Sequence, residues 1–235
     1  MLYSLIILAI IIITAYYIFM WPKSSAFGYY PYGLKTDKKI IALSFDDGPS
    51  EPYTADMLAV LAKHGVPGTF FLVGKNVEKN PELARRIIAT GQTIGNHAYS
   101  HQLGKYLSSP SLKDEIELTQ EIIFKVTGKK PAYFRSPWLI RNPGMFRVLA
   151  ANKMTPISGI FGTQKEVYLV PAKKIFNDAC SNLKPGQIMV FHDGINKNGN
   201  RSETVKAIDL FIPELKRRGY EIVSVEALLG IPAYQ

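Results

Sequence analysis

Hydrophobic positions along the chain fall into three regimes. Residues 2–21 are apolar without a break and residues 22–38 show no period. From residue 39 onward short apolar runs alternate with stretches of helical period. The runs at 40–45, 66–73, 93–96, 132–134, 154–160, 187–191 and 221–225 predict strands. The intervening stretches at 53–64, 81–90, 111–127, 144–152, 171–183 and 204–218 predict helices. Helix ends are well marked: Gly65, Gly91, Gly128 and Gly219 stand where a left-handed C-cap is wanted. Pro81 suits a first helical turn behind Asn80. Strands alternating with helices of crossover length predict parallel β/α units, arranged as an open sheet or a barrel.

The first regime changes the picture of where the chain works. Leu2 to Trp21 carries no charge, and twenty helical residues rise about 30 Å, enough to cross a hydrocarbon core. Tyr16, Tyr17 and Trp21 suit an interfacial belt. The rival is a cleaved signal peptide, since Ser24-Ser25-Ala26 resembles a cleavage site. The apolar stretch exceeds a usual signal core, however, and no Lys or Arg precedes it. We therefore expect an uncleaved anchor over 1–21, a linker rich in Tyr, Gly, Pro and Ser over 22–38, and one catalytic domain over 39–235. Lys23, Lys35, Lys38 and Lys39 all follow the apolar segment, so the positive-inside rule alone would leave that domain in the cytoplasm.

Composition adds less. A formal net charge of +9 favours anionic surroundings such as a cell wall or phospholipid headgroups. The basic residues are scattered as pairs (Lys129-Lys130 and Arg217-Arg218 among them) and no nucleic-acid motif accompanies them, so a nucleic-acid partner is not expected. Cys180 is alone, which excludes an internal disulfide, and it lies in a predicted amphipathic helix rather than at a strand end. A monomer is expected.

Parallel β/α folds put chemistry at the carboxyl ends of strands. Asp46, Asp47, His97, His101, Arg135, His192 and Asp193 all follow predicted strands, whereas His64 sits at a helix C-terminus. Asp46-Asp47-Gly48-Pro49 could be a plain turn, but two adjacent carboxylates at a buried strand end are costly without a compensating cation. His97 and His101, with one carboxylate, suffice for a divalent metal that keeps positions open for water and substrate. Arg135 could hold one Asp ionised. His192, on the end of another apolar run, is either a satisfied turn histidine or a general acid, since imidazole titrates near neutrality.

These residues carry a resemblance to the polysaccharide deacetylases of carbohydrate esterase family 4. Leu43-Ser44-Phe45-Asp46-Asp47-Gly48-Pro49 resembles the family's first motif. Gly68 through Gly74, Asn80-Pro81-Glu82-Leu83 and Ile94-Gly95-Asn96-His97 resemble the run into the second. Arg135-Ser136-Pro137-Trp138 is similar to the third, and Val190-Phe191-His192-Asp193 to the fifth. Residues 218–225 are similar to the last strand, so the likeness spans the predicted domain. It implies a distorted (β/α)7 barrel that removes acetyl groups from an amino-sugar polysaccharide outside the cytoplasm; the apolar segment 2–21 adds the expected membrane anchor. It also implies one divalent metal, usually zinc, on Asp47, His97 and His101. Asp46 would be the general base steered by Arg135, and His192 the general acid. Pro137, Trp138 and Asp193 would lie at the substrate, the Trp138 N–H serving as an oxyanion donor.

Three departures qualify the resemblance. Ala98 stands where the family has Ser or Thr, with Ser100 as a substitute. Gln92 stands where His is common. No fourth motif is recognisable: the family's Asp followed by Asp-Trp is replaced by Thr155-Pro156-Ile157-Ser158-Gly159-Ile160-Phe161-Gly162. The expectation is a His192 without an anionic partner, hence a slow hydrolase whose acid form disappears at lower pH. Three other readings stay open: a glycan-binding relative without turnover, a deacetylase of a lipid-linked amino sugar, and an Fe(II) oxygenase. The last leaves Asp46 and His192 unused.

Overall fold

The computed structural model describes residues 2–106, 108–168, 170–194 and 199–235. The remaining positions, which fall within the predicted anchor and domain, lie outside the described residues. Helix α1 (Leu2–Phe19) projects with none of its residues buried. Among the described residues it is the one helix long and apolar enough to cross a membrane. The domain then runs β1 (Ile40–Asp46), α2 (Tyr53–His64), β2 (Thr69–Leu72), α3 (Gly74–Lys79), α4 (Pro81–Ala89), β3 (Thr93–Asn96), α5 (Ser109–Thr127), β4 (Tyr133–Phe134) and α6 (Pro143–Ala151). It continues through β5 (Thr155–Pro156), β6 (Ile160–Phe161), α7 (Ala172–Asn182), β7 (Ile188–His192), α8 (Ser202–Arg217), β8 (Glu221–Ile222) and α9 (Val225–Leu229).

The strands form one curled parallel sheet in the order β5-β4-β3-β2-β1-β7-β6, with β8 beside the start of β1. This is the expected barrel type, opened between β5 and β6. Strand alternation assigns the faces. Ile41, Leu43 and Phe45 of β1 pack outward with Phe70, Met189 and Phe191 against Leu61 of α2 and Phe211 and Leu215 of α8. Ala42, Phe71, Tyr133 and Ile188 point inward, where Val225 and Leu228 of α9 close the bottom. With apolar residues on both faces, β1 reads as a continuous apolar run until Ser44 and Asp46, the inward positions near its carboxyl end. Gly65 and Gly128 cap α2 and α5 at φ of 62° and 69°, as their positions in the sequence predict.

Two expectations change. The predicted strand 154–160 is broken: β5 ends at Pro156 and β6 starts at Ile160. In the gap the Ile157 and Ser158 carbonyls accept hydrogen bonds from the Arg135 side chain rather than from a strand. The segment read as a linker is docked on the domain. Pro31 O accepts from Ser158 N and Tyr32 O from Ile188 N, while Gly33 bridges Gln187. It lies along the opening of the half-barrel and satisfies backbone groups there.

Candidate active site

Asp46 is the last inward residue of β1, so its carboxylate reaches the rim beside the end of β7. Arg135, immediately after β4, is fully buried (0% exposed) and donates through Nη1 to Asp46 Oδ1 at 2.7 Å and to Ser44 Oγ at 2.9 Å. Its Nε and Nη2 take Ile157 O and Ser158 O, and its guanidinium lies 3.9 Å from the Phe71 ring centroid. A charge so deep in the fold is tolerable because it is paired and each of its three nitrogens donates a hydrogen bond.

The next residue, Asp47, turns away at a φ of 74°. Its Oδ1 stands 3.1 Å from His101 Nε2 and 3.4 Å from His97 Nε2. Burial alone would raise the Asp47 pKa, but the two imidazoles hold the carboxyl well below the usual carboxylate range. Burial likewise opposes charge on His101, and Asp47 outweighs it, raising the imidazole. His97 Nδ1 lies 2.7 Å from the Arg135 carbonyl, which can only accept, so Nε2 carries the free lone pair of the neutral ring. Asp47 Oδ1 is buried without a hydrogen bond, and one ligand atom from each of the three residues lies within 4.8 Å of the others. An orphaned carboxylate oxygen facing two imidazole nitrogens fits a divalent cation.

The loop bearing these histidines is held by a residue that sequence reasoning missed. Glu115 of α5 accepts from Tyr99 N, Ser100 N and Ser100 Oγ. Ser100 thus braces the loop where Ala98 lacks a hydroxyl. Gln92 accepts from Gly68 N at the approach to β2, remote from the chemistry.

His192, inward at the end of β7, corrects the expectation drawn from the fourth motif. Its Nδ1 donates to Glu166 Oε1 at 2.5 Å, and Glu166 is 2% exposed, with Thr204 Oγ1 on its other oxygen. Burial opposes the imidazolium, yet the Glu166 carboxylate prevails and the His192 pKa is pushed up to about 9. Glu166 lies in a short 3-10 turn, residues 165–168, eight positions beyond Ser158. Glu166 stands outside the spacing of the family's fourth motif, and its mark in the sequence is that of an acidic residue between 160–161 and the next helix. Phe161 stacks parallel to the His192 ring at 6.1 Å.

Two residues expected at the substrate lie elsewhere. Asp193 is fully buried (0% exposed), accepts from Thr54 Oγ1, and is pushed by burial up to about 7. It points away from His192, as adjacent strand residues do. Pro137 is buried and does not line the cleft. Trp138 does line it, 40% exposed, with its ring 4.3 Å from that of His101. Of the six non-glycine residues with positive φ among the described residues, Asp47, Ala98, His101, Trp138 and Leu139 belong to these loops. Strain concentrated there marks geometry over-determined by its surroundings.

The side chains border one cleft of about 240 Å³, where Asp46, Asp47, His97, His101 and His192 converge. Its remaining wall includes Tyr16 and Met20, from α1 and the turn after it, which sequence reasoning had assigned wholly to the membrane anchor.

Comparison with known proteins agrees with this arrangement. The family model described as polysaccharide deacetylase matches residues 33–157. A peptidoglycan-N-acetylglucosamine deacetylase of Bacillus cereus is 33% identical over 86% of this chain and 93% of its own length. The crystal structure of a peptidoglycan N-acetylglucosamine deacetylase with 4-naphthalen-1-yl-N-oxidanyl-benzamide superposes with a TM-score of 0.79 at 28% identity, covering 88% of this chain and 93% of that one. A family 4 pseudoenzyme from Bacillus anthracis superposes with a TM-score of 0.77 at 26% identity, over 86% of this chain and 69% of the other. With the motifs in order, the parallel half-barrel beneath them and these relatives over most of its length, the chain belongs to the polysaccharide deacetylase family of hydrolases.

Proposed function

We propose that the chain removes N-acetyl groups from an amino-sugar glycan of the cell wall, with Asp47, His97 and His101 holding one zinc ion. The observation that carries this is the convergence of three units in one cleft: the Asp46–Arg135 pair, the Asp47–His97–His101 cluster and the His192–Glu166 pair. When bound, the cation supplies Lewis-acid polarisation of the acetyl carbonyl. Asp46, ion-paired with Arg135 at 2.7 Å, takes a proton from the attacking water. His192, kept protonated by Glu166, delivers one to the departing amine. The Trp138 N–H, on a turn with φ of 52°, is the proposed oxyanion donor.

The same reading puts the domain outside the cytoplasm, held to the membrane by α1. The named activities of the relatives support this, since their glycans are wall components.

The test is acetate release, with the matching loss of mass as free amines appear, from N-acetylated chitooligosaccharides with the purified full chain. Turnover is expected, abolished by a chelator and restored by zinc, and His101→Ala should lower the bound metal measured by elemental analysis. A protein that retains metal yet releases no acetate from any N-acetylated glycan would overturn the reading in favour of glycan binding alone. The pseudoenzyme among the structural relatives makes that control necessary.

A further inference from the structure

The foot of α1 is not tethered loosely beside the domain; it is built into the wall of the cleft. Arg141, fully buried, donates its backbone N–H to Phe19 O at 3.0 Å and its Nη1 to Ser24 O, while its guanidinium lies 4.6 Å from the Tyr30 ring centroid. Ser158 Oγ donates to Pro22 O at 2.8 Å, and Met20 packs on the apolar cluster containing Leu139 and Tyr106. Tyr16 and Met20, four residues apart on one face, line the cleft. Tyr16 lies within about 5 Å of the end of a helix whose 18 residues span about 27 Å, close to a hydrocarbon thickness. With α1 in a bilayer, the cleft is therefore fixed at headgroup level.

A second groove of about 800 Å³ continues from the cleft across Tyr16, Phe161, Thr163 and Gln164. It carries Lys23, Lys165 and Lys184, all exposed, and one acid, Asp178, which is paired with Lys174 at 2.6 Å and more distantly with Lys165 at 3.9 Å. Lys23 and Lys184 have no carboxylate partner among the described residues; Lys23 lies over the Tyr32 ring. The groove is thus cationic and adjoins both the catalytic cleft and the foot of an apolar helix. That arrangement fits a phosphate at the membrane surface.

We propose that the substrate is an N-acetylated amino-sugar glycan still joined through a phosphate to a membrane lipid. Its sugar enters the cleft, its phosphate lies in the groove of Lys23, Lys165 and Lys184, and its lipid runs beside α1. This rests on the deacetylase reading and narrows it to the form of glycan that can reach a cleft held at that depth.

The experiment uses the full chain in neutral-lipid nanodiscs, with zinc, on three probes. These are N-acetylated chitotriose, its 1-phosphate, and chitotriose joined by phosphate to a polyprenyl chain. The lipid-linked probe should be deacetylated with kcat/KM at least about tenfold above free chitotriose, because both are confined to one surface. The soluble 1-phosphate should fall between them, which separates the charge from the lipid. Lys23→Gln with Lys184→Gln, both at exposed positions, should collapse the preference for the phosphorylated probes. Equal kcat/KM on free and lipid-linked chitotriose, or a preference untouched by the double substitution, would overturn the inference and leave the deacetylase intact. Turnover of none of the probes would overturn the deacetylase reading itself.

Discussion

At the scale of single residues the decisive contact is His192 with Glu166. The carboxylate raises the imidazole to about 9, against the opposing effect of burial. A general acid is useful while protonated, so the alkaline limb of kcat/KM should lie near pH 9 rather than below pH 8 as the missing fourth motif suggested. Glu166→Gln keeps a hydrogen-bond acceptor but removes the charge. The limb should move down toward the ordinary imidazole value near ~6.5, and kcat should fall by about 10- to 100-fold. A pH–rate profile of the variant checks both; an unmoved limb would show that another group holds the proton. The same shift is a stability term. The folded pKa is raised, so the stabilisation is full below the unfolded value and is lost as pH rises through about 9.

At the scale of elements, the ends of β1 and β7 are pressed together by Gly194, where an added Cβ would lie 2.0 Å from the Asp47 backbone. Asp193 N and Gly194 N both donate to Asp46 O, so this contact sets the turn that aims Asp47 at the histidines. Gly194→Ala should displace Asp47, lower the bound metal per chain, and cost about 1–3 kcal/mol of stability through overpacking. Elemental analysis with chemical denaturation reads both. The broken strand between Pro156 and Ile160 depends on Arg135 in a related way, because its side chain takes the place of a strand partner for the Ile157 and Ser158 carbonyls. Arg135→Met leaves those carbonyls and a buried Asp46 unpaired. We expect a loss of about 3–5 kcal/mol on urea unfolding.

At the scale of the whole molecule, α1 and the docked segment after it are one piece of architecture with the half-barrel. The lysines that follow α1 would, by charge bias alone, keep the domain inside the cell. A glycan substrate beyond the membrane requires the opposite. A C-terminal reporter that is active only after export should be active, and one that is active only in the cytoplasm should be silent. The reverse result would place the domain inside and remove wall glycan as its substrate.

The sequence by itself was enough for the parallel β/α plan, the helix caps, the apolar span and the cluster of polar residues at strand ends. Each of these is a local pattern: period, turn chemistry, or an acid or histidine just after an apolar run. The first, second, third and fifth motifs were legible for the same reason. The short elements α3 and α9, of six and five residues, escaped because so few positions cannot display a helical period. Glu166, Glu115 and the Tyr16–Met20 wall were decided only by tertiary structure. Glu166 meets His192 across 26 residues, Glu115 meets Ser100 across 15, and α1 is docked by Arg141, far along the chain. Such contacts depend on how the chain closes around the half-barrel, which no spacing records. Asp193 teaches the converse, since this strand-end acid beside His192 faces Thr54 and the interior because adjacent side chains point to opposite sides.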